Sequence, residues 1–553
     1  MSADLVIRGG TVVDGTGAPA YRADVAVRDG RIVEIGEGLS GTRVLEADGH
    51  VVSPGFIDIH THYDAQVFWD PALTPSSWHG VTSVIAGNCG FTIAPCRPEH
   101  RELIGRTLQH VEDMDLETLK AGIPWDFETF PEYLDSVARH GTVLNFGAYI
   151  GHTALRLYVM GDDGYEREAT EDELQRMAAV VREALLAGAV GFASTSAPTH
   201  NGDGGRPVPS RIADIHEMEA LVRPLGELGK GVGAFTPGDR VKHPEIYELQ
   251  PRIGRPFTWT ALLTRRGSTF AQDMAAYTKE QQAAGARVYP QVTCRPLTFQ
   301  MNLRDPFTFN TNAMWAALMD RPIEERLAAY QDPEWRRSAQ HEMENARMFR
   351  PNWDTMRIEE ARDPSLNGRT VGELAAERGV SALDVMIEVS IAEDFAPRFR
   401  DTIANDDPEV ITDLLQQDGL VLGLSDAGAH VGQLCDACLP TDLLGNWVRE
   451  REVLSMERAV HKLTGEPAAM YGFEGRGVIA EGAFADIAVF DPDTVAPGPV
   501  RRVQDFPADG SRLVADAPSG MRHVVVNGTP IRVDGTPDPD AVASKPGTVL
   551  RET

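Results

Sequence analysis

Over the first fifty positions apolar and polar residues alternate in short runs broken by glycine: DLVIRGGTVVDG, ADVAVRDGRIVEIG and RVLEADGHVVSPG. Period-two alternation between glycines predicts hairpin strands. The pattern returns only near the other end, in GAFADIAVFDP and HVVVNGTPIRVDG. Between the two lie apolar, β-rich runs, GFIDIHTH, VTSVIAGN, VLNFGAYIGH, AVGFASTS, GVGAFTP, FTWTALL, RVYPQVT and LVLGLSD, separated by helical stretches such as EDELQRMAAVVREALLAG. That alternation predicts parallel strands joined by helical crossovers, in a barrel or a doubly wound sheet. Eight runs favour an α/β fold of the TIM type, a (β/α)8 barrel over residues 55–474. Residues 1–54 and 475–553 are expected to form one composite β-sandwich, and about 299–418, too long for one crossover, a mainly helical insertion near the barrel mouth. A Pro/Asp/Gly-rich tail near 534–547 reads as loop or frayed end.

Composition narrows the function. With 553 residues, 42% of them hydrophobic, the chain can bury one large core and a smaller one beside it. A formal net charge of -30 repels phosphate backbones and anionic headgroups, so neither nucleic acid nor a membrane is an expected partner. The first residues lack a basic segment followed by an apolar one, no apolar run approaches bilayer length, and a cytoplasmic protein is expected. The five cysteines cannot build a disulfide framework. Cys435 and Cys438 form a CxxC without a second ligand pair at zinc-site spacing, and read as incidental.

The candidate chemistry begins at the end of the first apolar run. In Asp58-Ile59-His60-Thr61-His62 the two histidines are two apart on a strand, so they project the same way. Two neutral imidazoles so placed suit a divalent metal such as zinc, although an isolated HxH also occurs in solvated turns. The last run ends in Gly423-Leu424-Ser425-Asp426-Ala427-Gly428-Ala429-His430 and puts a carboxylate at a strand's C-terminal end, where barrel active sites are built. Asp426 is then either a helix N-cap or a group that binds a metal and takes a proton from its activated water. His152 follows the third run and could touch substrate or serve packing; Arg211 and Arg295 follow the fourth and seventh, as carboxylate clamps or as salt-bridge partners.

SPGFIDIHTHYD, GNCGFTIAP, YIGHTALR and GLSDAGAH together resemble the D-aminoacylase (N-acyl-D-amino-acid deacylase) branch of the amidohydrolase superfamily, along nearly the whole chain. The resemblance implies that His60 and His62 hold a metal, that Cys89 reaches the same centre, that Asp426 is the general acid/base, and that His430 contacts substrate. On residue physics alone, Cys89 would more often be a small buried hydrophobe than a ligand. Members of that branch also carry metal-binding histidines after strands five and six; here those stretches read Val232-Gly233-Ala234-Phe235-Thr236-Pro237 and Trp259-Thr260-Ala261-Leu262-Leu263-Thr264. One zinc ion is therefore expected, held by His60, His62 and Asp426 with Cys89. The implied reaction is hydrolysis of a C–N amide bond in a small molecule, an N-acyl amino acid, by metal-activated water. A cyclic amidase, or a silent scaffold kept for binding, remains open. Relatives of this architecture are often homo-oligomers, which implies the same here.

Overall fold

The computed structural model describes residues 3–551 except 266, 305, 307, 310, 311, 320 and 347–349. Its centre is one parallel sheet of eight strands, β1 (Phe56–Asp58), β2 (Val81–Ala86), β3 (Asn145–Gly151), β4 (Gly191–Thr195), β5 (Val232–Thr236), β6 (Phe257–Trp259), β7 (Val288–Val292) and β8 (Val421–Leu422). Each lies within one of the eight predicted runs. Neighbours pair in chain order, all in parallel. Every residue of β2, β3 and β4 is buried, as expected of strands covered on both faces. Helices supply the outer cover. Glu171–Ala187, for example, starts on a Thr170/Glu173 capping box, ends at left-handed Gly188, and buries Leu174, Met177, Val181 and Leu185. The sheet curls: past β1 and β8, Thr61 forms a parallel bridge with Ala427, and the His62 N–H donates to the Ala427 carbonyl at 2.8 Å.

Both chain ends enter a second, nine-stranded mixed sheet. Val51–Pro54 pairs antiparallel with Ile487–Phe490, which joins the N-terminal strands to Met521–Val526 and Thr529–Val533. The strands expected in a sandwich thus form one continuous hydrogen-bonded sheet. Its long strand, Ala3–Val12, shifts register against Tyr21–Arg28 between Ile7 and Gly10, and on its other edge pairs with Gly41–Glu46 along its first half and with Val51–Pro54 along its second. A core of Leu5, Ile7, Val25, Val52, Ile487 and Val525 lies beneath it.

The predicted insertion has its own core, built around Trp315, Tyr330, Met343, Ile358, Leu374 and Phe399. Most of its regular structure is helical, with strands beside the helices. Leu297–Met301, Arg398–Ala404 and Arg357–Glu359 form a three-stranded antiparallel sheet under its helices. The tail departs from expectation: Thr536–Pro537 is a strand and Pro539–Ser544 a helix. Beyond them the Phe146 N–H donates to the Thr548 carbonyl at 2.9 Å and the Leu550 N–H to the Phe146 carbonyl at 2.8 Å, which pins the end against β3. Among the described residues no helix is long and apolar enough to cross a membrane.

Candidate metal centre and cavity

His60 and His62 leave β1 where the edges of the curled sheet meet. Ser425 donates to the His60 carbonyl at 3.0 Å and Asn88 Nδ2 to the Ile59 and Thr61 carbonyls at 3.2 and 3.4 Å, so the backbone on both sides of His60 is held by side chains. The Asn88 contact explains the GNCG turn. Cys89 is itself left-handed (φ 55) between Gly87 (φ 82) and Gly90 (φ 75), and the turn returns its thiol towards β1. A Cβ on Gly90 would stand 2.8 Å from the Ala193 carbonyl oxygen, so only glycine fits there.

Four donor atoms converge. His60 Nε2 lies 3.4 Å from His62 Nε2, 3.7 Å from Cys89 Sγ and 3.0 Å from Asp426 Oδ1, and Asp426 Oδ1 lies 3.8 Å from His62 Nε2. The His60, His62 and Cys89 donors all lie within 4.8 Å of one another. Gln291 Oε1, 2.8 Å from His60 Nδ1, accepts that ring's proton, which leaves Nε2 a lone pair facing the other donors. Lone pairs and carboxylate charge gathered this closely call for a cation, and two imidazoles with a thiolate are a zinc donor set, so the residues fit a metal. Protons that take the place of such a cation feel the same pull. Burial pushes the Cys89 thiol up, but hydrogen bonds from His60 and His62 bring it down to about 7. Burial likewise opposes charge on His60 and Asp426, yet each stabilises the other: His60 is lifted to about 10 and Asp426 held well below the usual carboxylate range.

The donors open on a cavity of about 170 Å³. Thr236, at the end of β5, and Thr260, just past β6, line it where the resemblance leads one to look for histidines; Thr236 Oγ1 is 3.4 Å from Cys89 Sγ and 3.3 Å from Thr260 Oγ1. His430 lines it too. So do two residues that sequence reasoning missed, His200 and Glu112. His200 Nδ1 is 2.7 Å from the Thr195 hydroxyl, and burial drives its ring down to about 3, so it is neutral. Glu112 ends the helix Arg101–Glu112 and brings Oε1 to 3.0 Å from His62 Nδ1. That oxygen lies off the ring N–H axis, so the contact is a close electrostatic one rather than an aligned hydrogen bond. Nothing in the sequence around Glu112 marked it, whereas Gln291, a polar residue inside an apolar run, could have been noticed. Val111, Leu263, Leu297, Phe299 and Ile403 form an apolar wall, to which the three-stranded sheet contributes Leu297, Phe299 and Ile403.

Three predicted substrate contacts lie elsewhere. His152 is fully buried, with Nδ1 2.8 Å from Ser194 Oγ and Nε2 2.8 Å from Glu217 Oε1, and Glu217 also accepts from Arg156 Nη1. Arg211 donates to Asn201 Oδ1 and the His200 carbonyl, at 2.5 and 3.2 Å, and so braces the loop that carries His200. Arg295 is spent on Asp436 at 2.6 Å and Asp442 at 3.1 Å. No lysine or arginine is found among the described residues lining the cavity. The CxxC sulfurs are free, Cys438 is buried, and Cys435 Sγ accepts the Ala515 N–H at 3.3 Å.

Known proteins resemble this chain along nearly its whole length. The amidohydrolase family model covers residues 43–532. D-aminoacylase from Alcaligenes xylosoxydans xylosoxydans is 30% identical over 545 residues, 96% of this chain and 94% of the relative. A crystal structure of N-acyl-D-glutamate deacylase from Bordetella bronchiseptica, complexed with zinc and a phosphonate mimic of the tetrahedral intermediate, superposes with a TM-score of 0.68 at 26% identity over 100% of both chains. A solved D-aminoacylase, described by one-metal activation and second-metal attenuation of a binuclear centre, gives 0.69 at 26% identity, again over 100% of both chains.

Proposed function

Since the chain belongs to the amidohydrolase family, we propose that it is an N-acyl-D-amino-acid deacylase that uses one zinc ion to hydrolyse the amide of a small substrate. The observation that carries this reading is the convergence of His60 Nε2, His62 Nε2, Cys89 Sγ and Asp426 Oδ1 at the mouth of a partly apolar cavity. We take the curled sheet as a (β/α)8 barrel over 55–474, the sheet from 1–54 and 475–553 as its companion domain, and the insertion as its cover.

In this reading His60, His62 and Cys89 hold the metal, with Asp426 beside them. A metal there supplies Lewis acidity, which polarises the amide carbonyl and acidifies water. Asp426, a carboxylate in contact with the donor set, accepts the proton of the attacking water on a carboxylate oxygen and returns it to the leaving nitrogen. His200, neutral, keeps a hydrogen-bonding ring at the cavity without adding charge. The wall of Val111, Leu263, Leu297, Phe299 and Ile403 takes an apolar acyl chain or side chain and excludes water. A single ion is supported by Thr236 and Thr260, whose hydroxyls are weaker donors than the imidazoles that the family resemblance leads one to expect there.

The test is elemental mass spectrometry of purified protein, then a panel of N-acetyl amino acids of both hands with release of free amine as the readout. About one zinc per chain and turnover of D-substrates are expected. Zinc retained without amine release from any member would overturn the deacylase reading.

A further inference from the structure

Glu112 stands where neither helix nor core favours a carboxylate. It is the last residue of Arg101–Glu112, at the negative end of the helix dipole, and only 2% exposed. Neither of its oxygens makes a hydrogen bond, and its one close charged partner among the described contacts is His62, at 3.0 Å. The backbone locks it there: Asp113 turns left-handed (φ 51), and the Val431 N–H donates to the Glu112 carbonyl at 3.0 Å, which ties the helix end to the loop that carries Asp426. A local rule broken at a locked, buried position beside a donor set marks a functional constraint.

We propose that Glu112 is a positioning residue for the metal centre: its carboxylate faces the Nδ1 edge of His62, keeps the proton on that side, and turns the Nε2 lone pair towards His60 and Cys89. Gln291 holds His60 by a hydrogen bond at Nδ1, so each imidazole has an acceptor oxygen at its Nδ1 edge. The charge matters more at His62 than an amide would, because β5 and β6 offer only the hydroxyls of Thr236 and Thr260, and a more basic imidazole compensates for missing donors. The inference rests on the metal reading above.

Zinc affinity by chelator competition, and the absorption spectrum of the cobalt-loaded protein, test it in the full chain. Glu112→Gln keeps the side-chain volume and removes the charge; it should weaken zinc binding by about 10- to 100-fold and alter the cobalt bands. Glu112→Asp, which keeps the charge one methylene short, should recover part of the loss. Glu112→Ala is the second removal variant, and whichever of it and Glu112→Gln melts as a folded protein decides. Zinc affinity within twofold of the parent, with an unchanged cobalt spectrum, would overturn the proposal and leave the deacylase reading standing. A parent chain that binds no zinc would remove both.

Discussion

At the scale of single residues, the centre combines legible and illegible parts. His60, His62 and Asp426 could be read from strand periodicity and from their places at the ends of the first and last runs. Cys89 needed the family resemblance, because a thiol after an apolar run looks like core. For His152, Arg211 and Arg295 the sequence left substrate contact and packing or salt bridging both open, for a tertiary reason: whether a charged side chain is free for substrate depends on partners such as Glu217, Asn201 and Asp436, which lie 65, 10 and 141 residues away along the chain. Left-handed backbone at Cys89, Leu424, Asp426 and His430, each lining the cavity, has no signature in the sequence either, and each costs about 1–3 kcal/mol that the surrounding structure must offset. If Asp426 moves the proton, Asp426→Asn should lower kcat by about 10²- to 10⁴-fold in protein whose zinc content is checked beside the rate; undiminished turnover would remove Asp426 from the chemistry. Glu217 gives a prediction about pH. Burial pushes its carboxyl up, but His152 and Arg156 hold it down to about 2. A depressed carboxylate stabilises the fold above its unfolded pKa of about 4.3 and loses that contribution as the pH falls towards its folded value. Glu217→Gln, which strands the buried Arg156 charge, should therefore cost about 3–5 kcal/mol at pH 7, and its deficit in Tm should narrow between about pH 4.5 and pH 2. A deficit constant over that range would contradict the assignment.

Elements were legible in proportion to their length and burial. All eight parallel strands sit inside apolar runs, since a strand covered on both faces needs a continuous apolar segment. The three strands of the insertion, one of them only Arg357–Glu359, escaped notice because half-exposed segments such as RFRDTIA carry too few apolar positions to be told from loop. That insertion nevertheless packs a core of its own, and its stability can be perturbed separately. Trp315, fully buried against Phe309, Tyr330 and Trp335, should cost about 3–5 kcal/mol when replaced by alanine. Limited proteolysis of Trp315→Ala should cut first within 299–404 while zinc content holds; simultaneous loss of zinc and of the whole fold would show that the insertion has no separate stability.

On the scale of the whole molecule the tail is a structural member. Lys545 donates to the His140 carbonyl, Arg551 pairs with Asp135 at 2.5 Å, and residues 547–550 hydrogen-bond to Thr142 and Phe146. Its Pro/Asp/Gly composition concealed this, because the backbone supplies most of those bonds and any residue has a backbone. Removing everything from 545 onward should lower Tm measurably in calorimetry, and an unchanged melt would return the tail to the status of a loose end. The pairing of Val51–Pro54 with Ile487–Phe490 also bears on how the protein comes off the ribosome. Ser53 and Ala488, in contact across that seam, are 435 residues apart. At about 5–20 residues per second of synthesis, the N-terminal strands wait on the order of 20–90 s with an open β-edge before their partner emerges, so a nascent chain of this protein is a client for whatever shields β-edges in the cell.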